Sequence, residues 1–540
     1  MLDVKCFISV ASSLKKFVNG LFKLRCNLYV HTRPRLITKK ISFMAALSNQ
    51  IKNQHLLWRA GFGPSASQLL QLDKISPKAL YYKIEIAAKV KPEQFDVASN
   101  FIRDIYVDRV MDYMDGNGVK AKTALDTETK RKIRQQSRED IKALNLKWMN
   151  TMVGSEAQLR EKLALFWHGH FACKDVNIYN DQLLLNVIRD NAAGSFGDLL
   201  KGVSKSASML SFLNNQQNKK QKPNENFARE VMELFTLGRG NYTENDIKEA
   251  ARAFTGWAYN LKGEFIFRKN QHDTGTKTVL GKTGNLTGDD VLNILLEQKQ
   301  TALFITQKIY RFFVNEKLDD GNVKYLADRF YQSNYNIQGL MKDIFTSNWF
   351  YDEKNISAII KSPLDLIIGI QRMLPMQIET QELLLLFQRA LGQVLFYPPN
   401  VAGWPGGKTW IDSSTLMLRL RIPQLLEDDD EFELKVKADD DVQMGMKEVV
   451  KAKGQAKTLG EIAKTGFKMK ANIDWDKFII KFKEIPRTNL FTALQQTVLQ
   501  TRAGSVKETS IKLLQDETTR ENYIKTVTIA LMSTPEYQLC

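Results

Sequence analysis

Apolar residues recur every three or four positions along most of this chain from Ala45 onward, and that period restricts it to a packing of amphipathic helices. The clearest case is Glu156–Ala172 (EAQLREKLALFWHGHFA), where Leu159, Leu163, Phe166, Trp167 and His170 recur at helical spacing. The same spacing predicts helices over 127–153, 224–238, 244–257, 289–315, 320–331, 336–348, 361–374, 380–396 and 412–426, and again through 475–540. Thr243 is placed to cap the helix at 244, with Asp246 near its positive end. Residues 263–281 change period. Phe265 and Phe267 alternate with polar residues and Thr276–Leu280 is β-prone, which predicts a short hairpin with His272-Asp273-Thr274-Gly275 at its turn. The expected class is mainly α: a large helical domain with one short β-hairpin and long irregular loops. Two helix ends, Ile344–Phe350 (IFTSNWF) and Leu531–Tyr537 (LMSTPEY), use similar stop chemistry.

Charge and composition divide the chain further. Its net charge is +17, of which the first 43 residues carry +8, from nine Lys or Arg against Asp3. The other 497 residues therefore hold +9, which suits a scattered Lys-rich surface better than a nucleic-acid site. Residues 1–43 read as a basic extension, with Met44 the expected start and a leader as the alternative. Cys6–Leu14 is a poor apolar run for a secretory signal. That points to a cytoplasmic chain, with export as the alternative. No run of 18 apolar residues occurs, so no membrane span is expected. Residues 44–426 read as the helical domain, the charged stretch 427–474 as a partly mobile insertion, and 475–540 as helices completing the same domain. Cys6, Cys26, Cys173 and Cys540 have no metal-type spacing and imply no disulfide framework.

Four places hold residues suited to chemistry. In Asn224–Gly240 (NENFAREVMELFTLGRG), Asn226, Glu230, Glu233 and Leu237 fall on one helical stripe. Two carboxylates on one face suit an ion or a proton-transfer site, and equally a structural network through Arg229. Next is His168-Gly169-His170. The two histidines point roughly 160° apart on a continuing helix, so they converge on one metal only if the helix ends near Gly169. The alternative is one packed histidine and one solvated. Third, His272-Asp273 offers a ligand with an orienting carboxylate or a base, or plain turn chemistry. Only five histidines occur in the chain, and three of them lie here. Fourth, Tyr397–Gly407 packs three prolines and three glycines into eleven residues. Its Trp404, with Lys408 at the edge, could wall a binding site or simply form a packed connector.

These same stretches carry a family resemblance. His55–Gly63 (HLLWRAGFG), Lys162–Phe171 (KLALFWHGHF), Pro223–Thr243 (PNENFAREVMELFTLGRGNYT), Ala250–Trp257 (AARAFTGW), Gln271–Gly281 (QHDTGTKTVLG) and Val401–Trp410 (VAGWPGGKTW) occur in order. Together they resemble the domain-of-unknown-function 1800 family. The resemblance implies a mainly helical bacterial protein whose biochemistry is not established. It also implies an export signal in many members, which this chain lacks in convincing form, and a sulfatase-like protein encoded nearby. Phe235 stands where relatives often carry His, so that position supplies no ligand.

Two functional expectations follow. In the first, His168, His170 and His272 bind a divalent metal (Zn, Mn or Fe), Glu230, Glu233 and Asp273 act as ligands or base, and Asn226, Trp404 and Lys408 hold substrate. A metal-activated water then cleaves an ester- or phosphate-type bond. In the second, the chain is a non-catalytic helical partner, of a sulfatase-like protein for example, with the polar motifs as structural networks and the Trp404 loop as docking surface. Nucleic-acid binding through the basic surface ranks third.

Overall fold

Side-chain caps start most of the helices. The computed structural model describes residues 47–105, 127–175, 177–260, 262–427, 471–501 and 504–540, and the backbone of 449–452 and 455–458. The expected start at Met44, the basic extension and most of the 427–474 insertion lie outside the described residues. The long helices are α1 (Asn49–Arg59), α2 (Pro77–Ala88), α3 (Thr127–Gly154), α4 (Gln158–His170), α5 (Ile178–Asn191) and α6 (Phe196–Ser204). A short α7 (Asn226–Glu230) precedes α8 (Glu244–Ala253), α9 (Gly288–Glu297) and α10 (Lys299–Phe313). Then come α11 (Asp320–Gln332), α12 (Ile337–Phe345), α13 (Pro363–Met373), α14 (Leu383–Leu391), α15 (Ser413–Glu427), α16 (Arg487–Val498) and α17 (Arg520–Met532). Thr243, Thr287 and Ser362 form capping boxes with Asp246, Asp290 and Asp365, each satisfying two otherwise orphaned donors. The mainly α class holds.

Among the described residues the four two-stranded antiparallel sheets are small. β1 (Trp257–Tyr259) pairs with β2 (Phe265–Phe267), and β3 (Lys277–Val279) with β4 (Lys282–Gly284). The expected hairpin is therefore two hairpins, and His272–Gly275 lies between them rather than at a turn. The reason is Gly256: at φ +84 it leaves the helical region after α8, so Trp257 opens a strand instead of ending a helix. Likewise Gln298, extended at ψ 119, divides the expected 289–315 helix into α9 and α10. β5 (Met376–Ile378) pairs with β8 (Ala471–Ile473), and β6 (Val449–Ala452) with β7 (Gln455–Thr458).

Helix α4 is buried on nearly every side, with Leu159, Leu163 and Trp167 fully enclosed. Its one wholly buried carboxylate, Glu161, takes hydrogen bonds from Arg189, Arg160 and the Trp148 indole at 3.0–3.1 Å. Lys162 pairs with Asp365 at the start of α13. A buried charge must be paired in this way or the fold loses several kcal/mol, on the order of 3–5. Helix α1 receives both of the similar helix ends. After α12 and α17 the chain tightens into single 3-10 turns, Asn348–Tyr351 and Pro535–Gln538. Phe350 then lies tilted against the His55 ring at 4.5 Å, and Tyr537 meets Trp58 edge-on at 6.3 Å. Among the described residues no helix is long and apolar enough to cross a membrane. Cys173 and Cys540 are free and buried.

Candidate functional site

Helix α4 runs without a break through Gly169 to His170, so its two histidines leave on different sides. His168 is enclosed by Trp148, Phe396 and Trp404, with ring centroids 5.3, 5.1 and 5.6 Å away. Its Nε2 accepts the Phe396 N–H at 3.1 Å, which leaves the proton on Nδ1. Burial pushes its pKa down to about 4, so it is neutral. Phe396 itself sits at φ +68, a region costly for a bulky side chain. His168 thus holds a strained backbone position in place.

His170 faces α10 and the segment after α7. That segment, Val231–Thr236, is a π-helix rather than the continuous α-helix expected over 224–238. Thr236 donates its hydroxyl to the Val231 carbonyl at 2.7 Å and stabilises the wider turn. The carbonyls of Leu234 and Phe235 then have other partners: Lys308 Nζ donates to Leu234 O at 3.2 Å and His170 Nε2 to Phe235 O at 3.2 Å. Lys308 Nζ also donates to His170 Nδ1 at 3.1 Å. Both ring nitrogens of His170 are engaged. Burial, and next the Lys308 charge, hold its pKa well below the usual imidazole range.

Glu230 and Glu233 straddle the change from α to π. Glu233 accepts from the Tyr242 hydroxyl at 2.6 Å and from Arg239 at 3.0 Å, and the Tyr242 bond is the main reason its pKa is lowered. Glu230 is half-buried, and burial followed by the Glu233 charge raises its pKa. The pair is electrostatically coupled. Asn226, exposed at the start of α7, donates to Leu213 O at 3.2 Å.

In the segment between the hairpins, Asp273 is gripped by Arg252 at 2.7 and 3.2 Å and also accepts from Gly275 N at 2.8 Å. The Arg252 bond is the main cause of its lowered pKa, so it is an anchored anion rather than a poised base. Its neighbour His272 is buried, with Nδ1 2.9 Å from Thr255 O and its Nε2 without a hydrogen-bond partner among the described residues.

The Trp404 loop lies over the end of α4. Gly403 at φ +80 presses so close that a Cβ there would stand 2.3 Å from Gly169 O. Gly407 at φ +57 allows a similar approach to Glu316. The loop is thereby fixed, with Trp404 half-buried over His168 and with Pro405 and Lys408 exposed.

The fold therefore brings Trp404 to His168, Glu230 to Glu233, and His170 to the π turn that carries Glu233. It does not gather three histidines: among the described residues no group of three or more His, Cys, Asp or Glu side chains is arranged to hold a metal ion. Sequence reasoning missed Lys308, although its place between Phe304 and Phe312 at i±4 marks a lysine inside an apolar stripe. It also missed the buried carboxyls Asp175 and Asp181 beside Cys173. A family model described as "Protein of unknown function (DUF1800)" matches residues 55–539. No curated protein and no solved structure matches the chain.

Proposed function

The chain belongs to the DUF1800 family of proteins of unknown function, and from that premise we propose that it works as a helical partner protein whose motif residues hold a rigid docking loop. The observation that carries this reading is the use of His170, whose two ring nitrogens both serve internal hydrogen bonds. Asp273 and Glu233 support it, since each has both carboxylate oxygens engaged within the fold. The loop around Trp404 is fixed by Gly403 and Gly407 and presents Pro405 and Lys408 outward. A pre-organised loop of this kind loses little entropy on binding. In this reading the partner is a sulfatase-like protein, the class that the family resemblance implies. The test is binding between the two purified full-length proteins, repeated with Trp404→Ala and Lys408→Glu. A complex that both substitutions weaken at least tenfold supports the reading, and no complex at micromolar concentration refutes it.

A second reading rests on His272. An imidazole that donates Nδ1–H to a backbone carbonyl and keeps Nε2 unpartnered has the tautomer of a metal ligand. In that reading a divalent ion (Zn, Mn or Fe) sits at His272, a nearby carboxylate serves as base, and the chain is a hydrolase. Thermal unfolding with each metal added decides it. A rise in Tm that His272→Ala abolishes would favour the metal site.

A further inference from the structure

We infer that Lys308 is a nucleophilic amine with His170 as its base, and that it condenses with the carbonyl group of a small aldehyde. The inference goes beyond the partner reading and shares its His170 observation, since the bonds that engage both ring nitrogens are also those of a base and its orienting group; its test reads Lys308 and not the Trp404 loop. An activated nucleophile is recognised by a base within hydrogen-bond reach, itself oriented by a third group. Lys308 Nζ lies 3.1 Å from His170 Nδ1, and the Phe235 carbonyl, 3.2 Å from Nε2, fixes the tautomer that leaves Nδ1 a lone pair. The second acceptor of Lys308 is the Leu234 carbonyl, also neutral. Both acceptors are neutral, and the remaining face of Nζ lies over the Phe304 ring, 4.9 Å from its centroid.

Environment favours the same form. Burial, and next the Arg311 charge, push the Lys308 pKa down to about 8. A desolvated lysine beside another cation is a known way to make an amine nucleophilic near neutral pH. Lys361 is also pushed down, to about 7 and mainly by burial. Its Nζ, however, is clamped 3.7 and 3.6 Å over the rings of Trp58 and Tyr537 in a side chain that solvent does not reach. Lys308, by contrast, is half-buried rather than fully enclosed.

In the condensation, the Nζ lone pair forms a bond to the carbonyl carbon as the carbon–oxygen π bond breaks. One Nζ proton passes through His170 Nδ1 to the oxygen, giving a carbinolamine. The second Nζ proton leaves with that oxygen as water, giving the imine. No oxidant or reductant is required.

The experiment treats the full chain with butyraldehyde and traps the imine with cyanoborohydride. Mass spectrometry maps the modified lysines, with exposed Lys408 as the internal reference. A pKa near 8 raises the neutral fraction at pH 7.5 on the order of a hundredfold over an ordinary lysine, and the weaker intrinsic nucleophilicity returns part of that. Lys308 is therefore expected to label about tenfold faster than Lys408, with its rate half-maximal near pH 8. His170→Gln is expected to slow Lys308 several-fold and leave Lys408 unchanged. Equal labelling of the two lysines at pH 7.5, or a Lys308 rate still climbing above pH 9, overturns the inference. Both are read on the unsubstituted chain, so they hold whether or not the variant folds.

Discussion

A single ring nitrogen accounts for much of what His168 does. Its Nε2 accepts the Phe396 N–H inside a shell formed by the Trp148 and Phe396 rings. His168→Ala is expected to lower unfolding stability by about 2–4 kcal/mol, from an orphaned amide plus a cavity, as read by urea titration. The buried carboxyl Asp181 behaves in the opposite sense. Burial, and next the neighbouring Asp175, raise its pKa well above 3.8, while the Ser208 hydroxyl at 3.3 Å is its hydrogen-bond donor. An acid whose folded pKa is raised supports the fold fully below about pH 3.8, and that support is lost as pH rises. Asp181→Asn should therefore match the parent chain at pH 3.5 and exceed it in urea midpoint increasingly between pH 4 and 8. A variant less stable at pH 8 would show that the ionised form is the one the fold needs.

At the scale of elements, the close seat of the Trp404 loop on α4 depends on a residue with no Cβ. Gly403→Ala adds a carbon 2.3 Å from Gly169 O at φ +80, and is expected to cost on the order of 2 kcal/mol or more in thermal unfolding. A neutral result would mean that the loop shifts freely and is not fixed. What could be read in advance at this scale followed the strength of the local signal. Helices α3, α4, α11, α13 and α15 end within a residue or two of the sequence expectation, because their apolar stripes are long, and Asp319 and Ser362 add local caps to α11 and α13. The π turn at Val231–Thr236 was not legible, since an i→i+5 bond leaves the apolar pattern nearly unchanged over one turn. The strand at Trp257 was hidden for a related reason: Trp257-Ala258-Tyr259 continues a helical pattern, and only the φ of Gly256 breaks it. For the site, His168, His170 and His272 could be picked out by their scarcity. Which atoms they use could not, because Phe396, Lys308 and Thr255 come from other parts of the chain or from backbone groups.

Across the whole molecule, the motifs of the DUF1800 family meet in the packing more than in a shared pocket. The segment His55–Gly63 lies in and just after α1, which receives Phe350 and Tyr537 from two distant parts of the sequence. Lys162–Phe171 forms the buried α4, and Val401–Trp410 lies over its end. Pro223–Thr243 and Gln271–Gly281 are both tied to α8, through the Arg229–Glu244 and Arg252–Asp273 pairs. Motif residues are in this view the joints of a helical body whose outward working part is the Trp404–Lys408 loop. The decisive measurement is the dissociation constant between this chain and the proposed sulfatase-like partner, by isothermal titration calorimetry, for the parent and for a Trp404→Ala/Lys408→Glu double variant of unchanged Tm. A complex of micromolar affinity or better that the double variant weakens at least tenfold is expected; equal affinity of the two forms, or no complex at all, would show that the Trp404–Lys408 loop is not a docking surface for it.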